Sequence, residues 1–105
     1  MKESALQNKI TRYLKSQNRF YTKSQGGVSG TQNGTPDIIT IDDNGVLVGL
    51  ELKRPDKVGS YGVTNEQLYQ GRKIKKFNGR WYKIDSWKSF ELLDGFSLSF
   101  EKEDI

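Results

Sequence analysis

The chain contains no cysteine and no histidine. Without cysteine it has neither a disulfide framework nor a thiolate metal site. Without histidine it has no imidazole to serve as a general base or to hold zinc. Chemistry must therefore come from carboxylates, ammonium groups, hydroxyls and amides. Any metal must be a hard cation held by oxygen, and Mg2+ or Mn2+ fits that requirement best. Apolar residues make up only 33 % of the chain, so the core will be small. No run approaches the ~20 apolar residues that span a bilayer. The amino terminus carries no apolar signal segment, and an intracellular protein without a membrane partner is expected.

What the sequence does have is a moderate excess of cations. Lys and Arg number 17 against 13 Asp and Glu, a net charge of +4. That balance suits a polyanionic partner. A chain of 105 residues suits a single domain. It shows no internal repeat and no low-complexity run.

The pattern along the chain predicts an α/β fold. Residues 3–17 read as an amphipathic helix, with Leu6, Ile10, Tyr13 and Leu14 at helical spacing and Glu3 on the same stripe. Residues 19–24 alternate as a short strand does, with Phe20 and Tyr21 facing opposite ways. Residues 25–36 are rich in Gly, Ser and Asn and read as a loop. Residues 37–41 and 46–53 read as a hairpin around the Asp42–Gly45 turn, where Asn-Gly favours a tight reversal. Pro55 ends the second strand. After a loop over 56–63, Thr64 is placed as an N-cap, and Gln67 stands at the capping-box position. That helix is expected to run to Asn78, with Gly79 as its C-cap. A strand over 80–84 and a short helix over 85–95, capped by Asp85 or Ser86, follow. The tail is expected to add an edge strand or to dock elsewhere. The order α-β-β-β-α-β-α implies a mixed central sheet flanked by helices.

One strand is chemically odd. In "VLVGLELK" the apolar run carries Glu51 and Lys53 two positions apart. Side chains two apart on a strand share a face, so these two lie together while Leu50 and Leu52 take the other side. The hairpin returns the chain beside 37–41 and can bring Asp37 near Glu51. Two adjacent carboxylates repel, and a divalent cation relieves the conflict by keeping both ionised. Lys53 could then orient water or neutralise developing charge. A Glu-x-Lys pair on a strand is more often just a solvated face, and Pro-Asp is a common turn signal. The combination of the two across a tight hairpin is far more specific.

The elements Pro36-Asp37 and Glu51-Leu52-Lys53 resemble the PD-(D/E)xK nuclease signature. More narrowly, "GTPDIITIDDNGVLVGLELKRP", followed by Gln67 at the start of the next helix, resembles the virus-type replication-repair nuclease (VRR-NUC) domains. The resemblance covers about residues 3 to 94 and implies one such domain over 1–105, with a restriction-endonuclease-like core. It implies a Mg2+- or Mn2+-dependent DNA endonuclease. Asp37 and Glu51 would be metal ligands, with the Leu52 carbonyl as a backbone ligand. Lys53 would be the catalytic lysine, Gln67 the family's helix-borne glutamine, and Glu3 the acidic residue of the first helix. By the same analogy the chain is expected to act as a homodimer on Holliday-junction or other branched DNA. Its setting would be the cytoplasm of a bacterial or phage-infected cell.

Arg54 and Lys57 follow the Glu-x-Lys strand directly and are candidates for phosphate contacts. Tyr61 lies in the next loop, and Lys23 and Gln25 lead into the glycine-rich loop, so both loops could act as arms around DNA. The cations Arg72, Lys73, Lys75, Lys76 and Arg80 read first as a solvated face. Trp81, Tyr82, Trp87 and Phe90 read as core or subunit interface. Three rival readings remain. They are a DNA-binding module without catalysis, a sequence-specific restriction-type enzyme, and an interaction protein in which Glu51 and Lys53 are a surface pair.

Overall fold

The computed structural model describes residues 3–24, 33–53 and 63–96. Arg54, Lys57, Tyr61 and Gln25 lie outside the described residues, as does the tail after Phe96. The elements are α1 (Glu3–Ser16), β1 (Tyr21–Lys23), β2 (Ile38–Ile41), β3 (Leu47–Leu52), α2 (Asn65–Lys76), β4 (Arg80–Ile84) and α3 (Trp87–Glu91). They occur in the order that the periodicity predicts.

The strands form one mixed sheet in the order β1-β2-β3-β4. β2 pairs antiparallel with β1 and with β3, as a hairpin must, and β4 lies parallel to β3. The parallel pairing follows from α2, which carries the chain back to the starting end of β3. Strand parity divides the sheet into two faces. Ile38, Val48, Leu50, Leu52 and Ile84 form the apolar face and are buried with Leu6, Ile10, Tyr13 and Leu14 of α1 and Phe90 of α3. Each such aliphatic side chain contributes about 1.5–3 kcal/mol on burial. Tyr82 and Trp87 pack at the edge of this core, as their size requires.

The opposite face carries Gly49, Glu51 and Trp81, and α2 lies over it. A Cβ on Gly71 of α2 would stand 2.7 Å from the Trp81 ring, so glycine is what lets helix and strand approach there. Gly49 is pinned in the same way beneath Pro36 and Ile74.

The helix ends follow local chemistry. Thr64 caps α2 and forms the expected capping box with Gln67. For α3 the cap is Ser86 rather than Asp85. The C-terminus of α2 departs from expectation. Its C-cap is Phe77, and Asn78, not Gly79, adopts the left-handed conformation, at φ 69°. Asn tolerates that region because its short amide can bond locally. Gly79 is required for a different reason, since a Cβ there would come within 2.6 Å of Ile74 Cγ2. No helix among the described residues is long and apolar enough to cross a membrane.

Candidate metal centre

The hairpin register builds the site. Ile38 pairs with Leu50, so the residue before β2 falls beside the residue after Leu50. Asp37 is thereby carried to Glu51. Its Oδ2 accepts the Leu52 backbone N–H at 2.7 Å, which fixes the carboxylate against the end of β3. The Asp37 carbonyl is held in turn by the Ser24 N–H at 2.8 Å and, more loosely, by Gln7 Nε2 at 3.5 Å. Gln7 of α1 is a contributor that sequence reasoning did not single out.

Glu51 is completely buried, although it is ionisable. Its Oε2 accepts from Gln67 Nε2 at 2.9 Å. The Gln67 Oε1 accepts from Lys53 Nζ at 3.1 Å and from the Thr64 N–H at 2.8 Å. One glutamine thus closes the capping box of α2 and also ties Lys53 to Glu51. The alternatives of helix cap and site residue are both realised. They coincide because the first turn of α2 lies over the strand end.

The electrostatics are unusual. Burial, then the neighbouring Asp37 carboxylate, push the Glu51 carboxyl up to about 8. Lys53 opposes the shift, and Glu3 adds a weaker push in the same direction as Asp37. A carboxylic acid so placed keeps its proton at neutral pH unless a positive charge arrives. The geometry agrees, because Glu51 Oε1 is buried with no hydrogen-bond partner among the described residues. Such an orphaned oxygen is costly. It can be satisfied by a proton shared with Asp37 or by a hard cation.

Compared with family models, curated proteins and solved structures, the chain gives no match.

The expected residues therefore rest on geometry alone. Asp37, Glu51, Lys53 and Gln67 converge, with the Leu52 backbone between them. Glu3 stands within electrostatic range of Glu51, but no group of three or more His, Cys, Asp and Glu side chains forms among the described residues. Lys23 ends β1 opposite Ile38 with its side chain exposed. On the other side of Glu51, Lys83 of β4 occupies the paired register position. Only the parallel pairing brings it there, and no local motif marks it. The donor set suits a hard cation, since the two carboxylates offer oxygen ligands and the chain has no cysteine or histidine.

Proposed function

We propose that this chain is a Mg2+- or Mn2+-dependent DNA endonuclease of the PD-(D/E)xK type, related to the VRR-NUC domains and built on a restriction-endonuclease-like core. One observation carries the reading. A fully buried glutamate, one oxygen of which has no hydrogen-bond partner among the described residues, stands beside a second carboxylate and is linked through one glutamine to a lysine. A purely structural site would not bury that conflict without compensation.

In this reading Asp37, Glu51 and the Leu52 carbonyl hold the cation. When bound, it would supply positive charge that favours the ionised form of Glu51 and polarises the scissile phosphate. Lys53 directs its ammonium group at the attacking water and at the negative charge that develops on the phosphate oxygens. Gln67 restrains Lys53 and Glu51 relative to each other, so that the ammonium group needs little reorganisation. The water oxygen bonds to phosphorus as one of its protons passes to solvent, the P–O bond to the leaving oxygen breaks, and that oxygen takes up a proton from solvent.

Branched DNA and a homodimer complete the proposal, and both follow the resemblance. Two copies would present two sites to two strands. Phe20 and the cross-strand pair Ile41 and Leu47 leave apolar surface exposed at the end of the sheet away from the site, which is available to a second copy. The test is cleavage of four-way and flapped DNA against linear duplex, with Mg2+ or Mn2+ and with Lys53→Ala as control. Cleavage should require the metal and prefer the branched substrate. It should fall on the order of 10²-fold or more in the variant. DNA binding without cleavage in either metal would favour a binding module on the same scaffold. That reading draws on the absence, among the described residues, of any group of three or more carboxylates that could hold a metal ion.

A further inference from the structure

The solvent face of α2 carries a feature that the proposed chemistry does not use. Tyr69, Arg72, Lys73, Lys76 and Phe77 recur at helical spacing and line a shallow groove of about 420 Å³. Among the described residues, three cations and two aromatic rings meet there, with no carboxylate. The rings are markedly exposed, Tyr69 at 58 % and Phe77 at 76 %. Aromatic side chains are normally drawn into a small core, so two left on one charged face need an explanation. Each ring has an ammonium group beside it. Lys73 Nζ lies 5.1 Å from the Tyr69 centroid, and Lys76 Nζ lies 5.7 Å from that of Phe77.

We infer that this face of α2 binds a single-stranded segment of DNA, with unpaired bases stacked on Tyr69 and Phe77 and phosphates held by Arg72, Lys73 and Lys76. Exposed ring faces interleaved with cations are what single strands require, because every unpaired base offers a π-face and every linkage a negative charge. A duplex keeps its base faces stacked internally and has no use for the rings. A second copy of the chain is disfavoured, since it would set this cationic face against a like charge. The groove begins two residues after Gln67, and the rings are separated by a rise of about 12 Å along the helix. Tyr69 stands about 200° of helical turn from Gln67, so this face of α2 is separate from the carboxylate site and turned away from it. The choice of DNA over other single-stranded polyanions rests on the nuclease reading, whereas the stacking does not.

The test is fluorescence anisotropy with a labelled oligothymidylate and a duplex of equal length, at low salt with chelator present, so that no cleavage occurs. The wild type should prefer the single strand. Tyr69→Ala with Phe77→Ala should weaken binding of the single strand by about tenfold or more and leave duplex binding unchanged. Lys73→Gln with Lys76→Gln should weaken both and lower the salt slope of single-strand binding by about 1.4. All four side chains are exposed, and an unchanged melting temperature will show that the variants fold. Undiminished single-strand binding by the aromatic double variant would overturn the inference, as would a wild-type preference for duplex. So would a change in oligomeric state with unaltered DNA affinity. Lost cleavage with intact single-strand binding would remove the nuclease reading alone. Normal cleavage with ring-independent binding would remove the α2 face alone.

Discussion

The Nε2 of Gln67 donates to Oε2 of Glu51 at 2.9 Å, joining the first turn of α2 to the end of β3. The same side chain caps α2 and receives Lys53. Gln67→Ala should therefore do two things at once. It should cost about 1–3 kcal/mol of stability through the lost capping box and the bond removed from a buried carboxyl. It should also lower cleavage by more than the stability loss explains. Gln67→Glu should keep the cap and still lower cleavage, because it sets a third carboxylate beside Asp37 and Glu51 and leaves Oε2 without a donor. Thermal unfolding together with single-turnover cleavage separates the two effects.

The raised Glu51 carboxyl sets a pH dependence in the absence of divalent metal. Its folded value is about 8 against 4.5 for the ordinary carboxyl. Between those values the folded chain binds the proton and the unfolded chain does not, so stability falls as pH rises through that window. Above about 8 both states are ionised and the dependence ends. With chelator present, the melting temperature should decline from pH 5 to pH 8. Glu51→Gln should flatten the decline and melt higher than the wild type at the upper end. A parallel decline in the variant would show that Glu51 is not its source.

Asp42 shows the opposite linkage. Burial alone would raise its carboxyl, but the Val46 and Asn44 N–H groups and Arg80 outweigh burial and hold it below the usual range. Its stabilisation is thus full above pH 3.8 and is lost as pH falls below that value. Its Oδ1 accepts both backbone donors of the hairpin turn, at 2.9 and 3.0 Å. Asp42→Ala should cost about 2–3 kcal/mol by leaving those donors unpaired, whereas Asp42→Asn keeps the acceptor and should cost less. Urea denaturation at neutral pH compares them.

Much of this architecture is legible in the residues. The Asn-Gly reversal fixes the hairpin, and strand parity then puts Glu51 and Lys53 on the face away from Leu50 and Leu52. Thr64 and Gln67 announce the start of α2. What is not legible depends on residues far apart in sequence. Asp42 reads as a turn residue, and only the fold reveals its contact with Arg80, 3.4 Å away in β4. Lys83 becomes a neighbour of Glu51 only through parallel pairing, and Gln7 reaches Asp37 only because α1 crosses the sheet. Gly79 signals a helix end correctly, yet the left-handed residue is Asn78, because the packing of Ile74 constrains Gly79.

Two glycines with positive φ should respond very differently to substitution. Gly34 has φ 85°, and a Cβ there would lie 2.2 Å from the Glu66 carbonyl oxygen. Gly45 has φ 80° and open space around it. Gly45→Ala should cost about 1 kcal/mol, the left-handed penalty alone. Gly34→Ala should cost about 3 kcal/mol or more, since backbone must move at the start of α2. If the two variants melt alike, Gly34 does not hold the approach between its loop and α2.

The capture of a hard cation by Asp37 and Glu51 is tested most directly by calorimetric titration of Mn2+ into the wild type and into Asp37→Ala and Glu51→Gln at slightly alkaline pH. The wild type should show saturable binding, with apparent affinity rising with pH as Glu51 gives up its proton. Both variants should lose the binding. Binding of equal strength in all three proteins, or none in the wild type, would contradict the assignment of this pair as a metal centre.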